Sequence, residues 1–335
     1  MVVDPGRLLR LDLFAGCTAD DLAALVAALV PVHVDAGTVL MRQGEAADGF
    51  MLIVAGSAAV HRTEDGVERE IGSAGVGSIV GELALLRGWP RGATVVAREP
   101  LTGLVGDLAA FGALLDAPGV GAQIMRTASV RLVEQVHPVE VELRDDTRLS
   151  LRPILPSDRE KYTDALASLS NESRYRRFFT YAPLSQRMIS YLVDLDYVDH
   201  FAWVGSPIDD PEGTVVASAR YVRTHESPTT AEVAFEVDEH YQGRGIATFL
   251  LGALAVPARE NGIEQFLANV LSDNRSMRTV FDKVGARWRR GDPGIVATTF
   301  PVASARELLH DAATEASLLR SARQIGDAAG VALAS

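Results

Sequence analysis

Hydrophobic and polar positions follow two different patterns in the first 140 residues of the chain. Residues 19–30 carry apolar side chains at helical spacing, with Thr18 or Asp20 as a possible cap. Helical spacing returns over 107–115 and 121–136. Between these helices lie short β-type runs separated by turn glycines, namely Gly37, Gly44, Gly56, Gly72, Gly75 and Gly77. The pattern predicts a mainly-β jelly roll or β-roll, residues 1–138, closed by helices.

Strands and helices alternate in the second half of the chain. Predicted strands begin at residues 149, 200, 214, 231 and 266, and residues 246–256 have apolar side chains at helical spacing. This order is typical of an α/β domain, which we expect over 149–303.

Two segments lie outside these domains. Pro138 and the charged stretch 143–148 predict a linker over 139–148. The Ala/Leu-rich residues 304–335 predict a helical tail beyond the second domain. This tail is expected either to cover the acceptor site of that domain as an autoinhibitory lid or simply to complete its core.

Composition narrows the possible classes of function. A chain of 335 residues, 47% of them hydrophobic, is long enough for two folded domains. It has no apolar run of the ~18 residues that a membrane span needs and no signal-like N-terminus, so we expect a cytoplasmic protein without membrane contact. Cys17 is the single cysteine, which excludes an internal disulfide and a cysteine-rich zinc site; no metal is expected. The net charge of −12 argues against nucleic acid as a partner.

An acid and an arginine frame an otherwise apolar segment at residues 81–94, GELALLRGWPRGAT. Carboxylates accept hydrogen bonds from hydroxyls, and guanidinium groups bind phosphates through two parallel hydrogen bonds. A sugar phosphate would suit both Glu82 and Arg91. The alternative is an ordinary ion pair that closes a β-turn.

In this context the segment resembles the phosphate-binding cassette of cyclic nucleotide-binding domains, and the similarity covers roughly residues 10–136 with the turn at 42–45. The resemblance implies that Glu82 accepts the ribose 2′-hydroxyl and that Arg91 pairs with the cyclic phosphate. It also implies backbone or hydroxyl contacts from Gly81, Leu83, Ala84, Gly92, Ala93 and Thr94. Arg131 on the closing helix is a further candidate, although a solvated helix face explains it nearly as well. Gly92 after Arg91 favours cyclic AMP over cyclic GMP.

A glycine-rich turn opens the helix that follows the strand at 231–237. It reads QGRGIA, residues 242–247, and such a turn leaves backbone N–H groups free to hold a pyrophosphate. The three spaced glycines of a dinucleotide-binding fingerprint are absent.

The turn instead resembles the acyl-coenzyme A motif of GNAT acetyltransferases, and the likeness covers about 149–302, including the helix from Asn274 to the glycine at 285. The resemblance implies that acetyl-CoA is the co-substrate and that the strand lies beside a splayed neighbour. The implied contacts are Ala234, Phe235, Glu236 and Val237 along the acetyl and pantetheine arm, Gln242, Gly243, Arg244, Gly245, Ile246 and Ala247 at the pyrophosphate, and Asn274 on pantetheine.

Transfer to an amine requires a base, because a lysine with a pKa near ~10.4 is protonated at neutral pH. Glu232 and Glu236 lie four residues apart on one strand, so orientation alone does not separate them. The family's usual base position, several residues before the turn, favours Glu232, and solvent exposure is the plain interpretation of Glu236. Where many members have an acidic tyrosine this chain has Phe281. We therefore expect water or no acid at the leaving thiolate, with Tyr241 as an alternative.

The two domains in one chain resemble the cyclic AMP-regulated protein lysine acetyltransferases of mycobacteria and related actinobacteria. That resemblance implies protein substrates, among them acyl-CoA synthetases and universal stress proteins, and relief of autoinhibition by cyclic AMP as allosteric activator. A nucleotide-regulated GNAT enzyme that acts on a small amine or a protein N-terminus is the alternative, because fold does not settle the acceptor.

Overall fold

Two units account for the chain in the computed structural model, which describes residues 4–64, 66–143, 145–210, 212–309 and 311–333. Unit 1 contains the residues up to 128 and those from 331, and unit 2 contains Ser129–Gly330. The division agrees with the expected mainly-β domain followed by an α/β domain.

Unit 1 contains eight short antiparallel strands in its described part. They are β1 (Val30–Val34), β2 (Val39–Met41), β3 (Gly49–Ala55), β4 (Ala58–Glu64), β5 (Val67–Ala74), β6 (Ile79–Val80), β7 (Thr94–Ala97) and β8 (Leu101–Asp107). One sheet has the order β1-β8-β3-β6 and the other β2-β7-β4-β5. Its helices are α1 (Pro5–Leu8), α2 (Ala23–Ala28), α3 (Glu82–Arg87), α4 (Leu108–Asp116) and the first part of α5 (Val120–Val133).

Strand β3 shows why the two sheets face each other. Because side chains alternate along a strand, Met51 and Ile53 point to one side and Phe50 and Leu52 to the other. The first pair joins a buried cluster with β2 and β7 of the second sheet. The second pair packs with helical residues such as Phe111. Unit 1 is therefore a β-roll whose outer face is covered by helices.

Unit 2 is built on one eight-stranded sheet of order β15-β16-β14-β13-β12-β11-β10-β9. The strands are β9 (Val139–Glu142), β10 (Arg148–Pro153), β11 (His200–Pro207), β12 (Ala217–Arg223), β13 (Thr230–Val237), β14 (Gln265–Leu271), β15 (Arg289–Arg290) and β16 (Ile295–Pro301). The helices are α6 (Arg159–Ser168), α7 (Asn171–Phe178), α8 (Gln186–Val193), α9 (Ile246–Glu260), α10 (Arg275–Asp282), α11 (Val302–Arg306) and α12 (Ala312–Leu333).

Half of the segment expected to be a linker, residues 139–142 and 148, is instead part of this sheet. Residues 139–142 form β9, which pairs with β10 from Val139↔Leu151 to Glu142↔Arg148. Val139 and Val141 are buried while Glu140 and Glu142 are exposed. This two-residue alternation suits an edge strand with one covered face. The proline and the charged residues beside it predicted a linker instead.

Strands β13 and β14 form the one parallel pair among the ladders of this sheet, and they separate early. Their register runs only over Thr230↔Gln265, Ala231↔Phe266 and Glu232↔Leu267, although both strands continue. Beyond Glu232, none of the described strands pairs with β13 on this side. This splay is the one that the motif implied.

The tail helix α12 packs into the core of unit 2. Leu318, Ala322, Ile325 and Ala328 are buried at helical spacing along it. Ser129 Oγ donates to the Ala328 carbonyl at 2.9 Å. These contacts favour a helix that completes the core over a detachable lid.

The described residues lack two features that would bear on function, a membrane-spanning helix and a cluster of metal ligands. No single helix there is long and apolar enough to span a bilayer, and only the pair α4 and α5, bent by 109°, meets the length and hydropathy criteria when taken together. Within the same part of the chain, no three His, Cys, Asp or Glu side chains converge as metal ligands.

Candidate functional site

The glycine turn between β13 and α9 leaves the start of that helix open. Gly243 and Gly245 have φ values of +80° and +85°, and a β-carbon built on either would meet no atom within 4 Å. Gly245 is the N-cap of α9, and no side chain caps the helix. Positive φ explains the glycines, and the uncapped amides with open space beside them can bind an anion.

A cleft of about 340 Å³ lies beside this turn. Nine of the residues expected to contact the coenzyme line it, namely Phe235, Glu236, Val237, Gln242, Gly243, Gly245, Ile246, Ala247 and Asn274. Ala234 and Arg244 are not in this lining. The Arg244 guanidinium lies 5.1 Å from the centre of the Tyr241 ring and donates to the His240 carbonyl at 3.1 Å. These contacts occupy its side chain, so the backbone is the part of Arg244 that the turn offers to a ligand.

Two polar side chains of the lining hold the walls of the cleft. Gln242 Nε2 donates to the Val237 carbonyl at 3.0 Å and so ties the turn to β13. Asn274 caps α10 by accepting from the Met277 amide at 3.2 Å, and it is buried. Both residues therefore fix backbone that a bound coenzyme would contact.

In unit 1, Arg91 is held inside the cassette. Its guanidinium is 7% exposed and donates to the Gly81 carbonyl at 2.9 Å and the Gly49 carbonyl at 2.7 Å. Asp48 lies 3.4 Å away but is almost fully exposed. A cation this buried, held by backbone carbonyls and facing the solvated Asp48, is suited to bind an anionic ligand.

Gly81 lets the arginine approach the cassette backbone. Its φ is +88°, and a β-carbon there would lie 2.6 Å from Arg91 Nη1 and 2.8 Å from the Met41 methyl carbon. Only glycine satisfies both the backbone conformation and this contact. Glu82 follows at the start of α3 and is buried, as is Ala84.

The rest of the cassette is joined to the turn at 42–45. Gly44 N donates to the Arg91 carbonyl and Arg91 N to the Glu45 carbonyl, both at 2.8 Å. Thr94 Oγ1 accepts from the Gln43 amide at 3.0 Å. The structure thus brings Arg91 against Gly81 and joins Arg91 and Thr94 to the turn, while the nucleotide contacts of the cassette residues stay predictions. Arg131 belongs to unit 2, so its contact with nucleotide stays a prediction.

Comparison with known proteins agrees with both domains. Residues 31–117 match the cyclic nucleotide-binding domain, and residues 165–286 match the acetyltransferase (GNAT) family. The chain is 43% identical over 296 residues to Acetyltransferase Pat of Mycolicibacterium smegmatis, which covers 88% of each protein. The chain belongs to the Pat family of acetyltransferases. It is therefore an N-acetyltransferase that uses acetyl-CoA and carries a cyclic nucleotide-binding domain.

Further relatives of this Pat-family enzyme cover the whole chain or one domain. The solved structure of a cAMP-binding acyltransferase from Mycobacterium smegmatis is 38% identical, covers 97% of each chain and has a TM-score of 0.51. The cAMP-dependent protein kinase regulatory subunit of Mucor circinelloides is 42% identical over 74 residues, which is 22% of this chain and 17% of that protein.

The two acids of β13 in this Pat-family enzyme have different surroundings. Glu232 is exposed, lies at the last paired position before the splay and accepts a hydrogen bond from Asn269 Nδ2 at 2.8 Å. Glu236 has an 8% exposed side chain, so the interpretation of Glu236 as a solvent-exposed acid is wrong. Of the two acids, Glu232 is the exposed one, but it is not among the residues that line the cleft, so its role as the base stays a prediction.

Glu236 is the centre of a buried polar network. Its carboxylate accepts from Arg177 Nε at 2.7 Å and from the hydroxyls of Tyr162 and Ser218. Arg220 in turn donates to the Tyr162 oxygen at 2.6 Å. Burial alone would raise the pKa of Glu236, but Arg177, Arg220 and the two hydroxyls outweigh it and hold the pKa below its usual value. Glu236 is therefore a fixed anion and a poor base.

Phe281 occupies the position at which a tyrosine could have donated a proton to the leaving thiolate. It is buried and packs against Phe235 with ring centres 5.9 Å apart. No proton donor comes from this position in the Pat-family enzyme.

Sequence reasoning did not assign several residues of the cleft wall. Ser173, Arg176 and Arg177 line it from α7, and Lys283 lines it from beyond α10. The segment 173–179 is rich in arginine, but nothing in its spacing links it to Glu236.

Proposed function

We propose that the chain transfers the acetyl group of acetyl-CoA to the ε-amine of lysines on protein substrates, under control of cyclic AMP. The observation that carries this proposal is one cleft that contains both the uncapped N-terminus of α9 and the splayed strand β13. Acyl-CoA synthetases and universal stress proteins are the proposed substrates.

The residues of the cleft fit an acyl-coenzyme A. Amides of 243–247 would hold the phosphates at a helix N-terminus. The edge of β13 that faces away from β12, between Ala234 and Val237, would hydrogen-bond the acetyl and pantetheine arm, and Asn274 would bind the arm from the opposite wall. The bound coenzyme supplies a thioester, which is the activated form of the acetyl group.

Glu232 is proposed as the base that removes the proton of the acceptor amine. Its carboxylate is oriented by Asn269 Nδ2 at 2.8 Å and stands exposed at the start of the splay. An amine with a pKa near ~10.4 attacks only after deprotonation, and a positioned carboxylate contributes ~10²–10⁴-fold to such a step.

The leaving thiolate requires no dedicated acid in this proposal. Thiols ionise near pH ~8.5, so a thiolate departs without full protonation. Phe281 and Phe235 make the adjacent wall apolar, and water is the proposed proton donor.

Cyclic AMP is proposed to bind the cassette of unit 1 and to activate transfer. Arg91 would pair with the cyclic phosphate and Glu82 with the ribose 2′-hydroxyl. The buried, carbonyl-held guanidinium of Arg91 supports this assignment, because a phosphate would supply the charge that the carbonyls lack. Activation requires two states of the enzyme that bind the nucleotide with different affinities. Cyclic AMP then shifts the enzyme towards the state that it binds more tightly, which is the active one.

The acceptor is tested by mass spectrometry of a purified acyl-CoA synthetase after incubation with enzyme, acetyl-CoA and cyclic AMP. Acetylated lysine that disappears with Glu232→Gln, but not with the loop control Glu226→Gln, supports the proposal. Turnover of acetyl-CoA only with small amines or protein N-termini would contradict the lysine assignment and leave the acetyltransferase activity standing.

A further inference from the structure

Glu236 separates two cavities of unit 2. On one side is the main cleft of about 340 Å³. On the other is a small cavity of about 20 Å³, which is room for about one water molecule. Leu169 and Glu236 line both cavities, so the carboxylate lies at the boundary between them.

The small cavity is mostly apolar, although Tyr162, Ser218 and Asp238 also line it. Ala165, Leu166, Val215 and Ala217 contribute to its walls. These residues form a surface that would suit a hydrocarbon chain, and Glu236 stands between that surface and the cleft. Without the carboxylate, the cleft would extend into this space.

The ion pair with Arg177 fixes Glu236 in this position. Both side chains are largely buried, with 15% of Arg177 and 8% of Glu236 exposed. Tyr162 and Ser218 bind the other carboxylate oxygen. A carboxylate with this many partners loses several hydrogen bonds if it is pushed aside, so it acts as a rigid wall.

The boundary lies where the acyl group of a bound coenzyme ends, a step that rests on the proposed function. With its phosphates at 243–247, the coenzyme runs back along β13 from Val237. Phe235 and Glu236 are the residues of β13 farthest from the turn that still line the cleft. On that proposal, the acyl carbon chain ends against this part of the wall.

We propose that the Glu236–Arg177 pair limits the length of the acyl chain and makes the enzyme selective for acetyl over butyryl donors. A chain with two more methylenes would have to displace a buried, hydrogen-bonded carboxylate. Even one methylene in a fitted pocket changes selectivity by ~10–200-fold, and displacing a charge adds to this effect. Glu236 is a specificity-determining residue here, and Arg177 and Tyr162 position it.

The test compares kcat/KM for acetyl-, propionyl- and butyryl-CoA by thiol release with one fixed acceptor. The double variant R177A/E236A removes the ion pair as a unit, and the buried Arg220 keeps its hydrogen bonds to the Tyr162 oxygen and the Leu192 carbonyl. We expect its butyryl-to-acetyl ratio to rise at least ~10-fold above wild type. Glu236→Gln keeps the bulk of the side chain and should stay close to the wild-type ratio. The pair Arg152 and Asp158 is similarly buried in unit 2 but does not line the cleft, so R152A/D158A is the matched control.

A ratio that stays constant in R177A/E236A while all three donors lose activity equally would overturn the inference, because that result describes a structural ion pair. If the double variant does not fold, Glu236→Ser removes the wall with a single change, and the ratio measured on that sample decides in the same way. Wild-type enzyme that turns over no acyl-CoA would contradict the proposed function itself. An unchanged ratio with active wild type contradicts only the inference.

Discussion

Replacement of Gly81 by alanine tests whether the cassette depends on the close approach of Arg91. The new β-carbon would lie 2.6 Å from Arg91 Nη1, so the guanidinium must move and give up its 2.9 Å hydrogen bond to the Gly81 carbonyl. A hydrogen bond made by a charged group is worth ~1.5–3 kcal/mol. Since ~1.4 kcal/mol is tenfold in affinity, cyclic AMP should bind roughly 10–100-fold more weakly.

Alanine at a positive φ also costs ~1–2 kcal/mol of stability wherever it occurs, and Gly77→Ala separates the two effects. Gly77 has a φ of +84°, close to the +88° of Gly81, but its β-carbon would meet no atom within 4 Å. Both variants should therefore lower the melting temperature, and only Gly81→Ala should lower affinity in calorimetric titration with cyclic AMP. Equal affinities of the two variants would refute the role given to the Gly81–Arg91 contact.

Three further predictions concern unit 2. Glu232→Gln should lower kcat/KM for acetyl transfer by ~10²–10⁴-fold while acetyl-CoA binding, measured by calorimetry, stays unchanged; retained activity would remove Glu232 as the base. Burial, followed by the charge of Arg220, lowers the pKa of His200 to about 3, whereas an unfolded histidine titrates near ~6.5. The unfolded state then binds the extra proton, so stability is lost as the pH falls from ~6.5 towards 3, by up to ~1.4 kcal/mol per pH unit. The drop in melting temperature from pH 7 to pH 5 should be smaller in His200→Gln than in wild type. Equal drops would contradict the buried neutral imidazole. Leu318→Ala on α12 should cost ~2–5 kcal/mol of stability, seen as a lower melting temperature, because the side chain is fully buried. A variant with an unchanged melting temperature and raised basal activity would instead support the lid.

Local patterns were enough to predict the two folds and the position of both motifs. Turn glycines such as Gly44 and Gly77 do have positive φ and bound the strands of unit 1. The turn at 242–247 opens α9 as expected, because a strand followed by glycines and then by helical spacing has few other solutions. The helix expected over 19–30 is shorter, Ala23–Ala28, since helix ends depend on contacts that spacing does not encode.

The surroundings of Glu236 could not be predicted from the sequence. Tyr162 comes from α6, Arg177 from α7 and Ser218 from β12, so the network joins residues that are 18 to 74 positions apart from Glu236 in the chain. Alternation along β13 places Glu232 and Glu236 on one face but says nothing of what covers that face. Only the tertiary structure distinguishes the solvated acid from the buried one.

The regulated reaction is tested most directly by the rate of acetyl transfer to a purified acyl-CoA synthetase, with and without cyclic AMP, for wild type, Arg91→Ala and Glu232→Gln. The account predicts nucleotide-stimulated transfer in wild type, transfer that no longer responds to nucleotide in Arg91→Ala, and no transfer in Glu232→Gln. Wild-type transfer that cyclic AMP leaves unchanged, or full stimulation of Arg91→Ala, would contradict it.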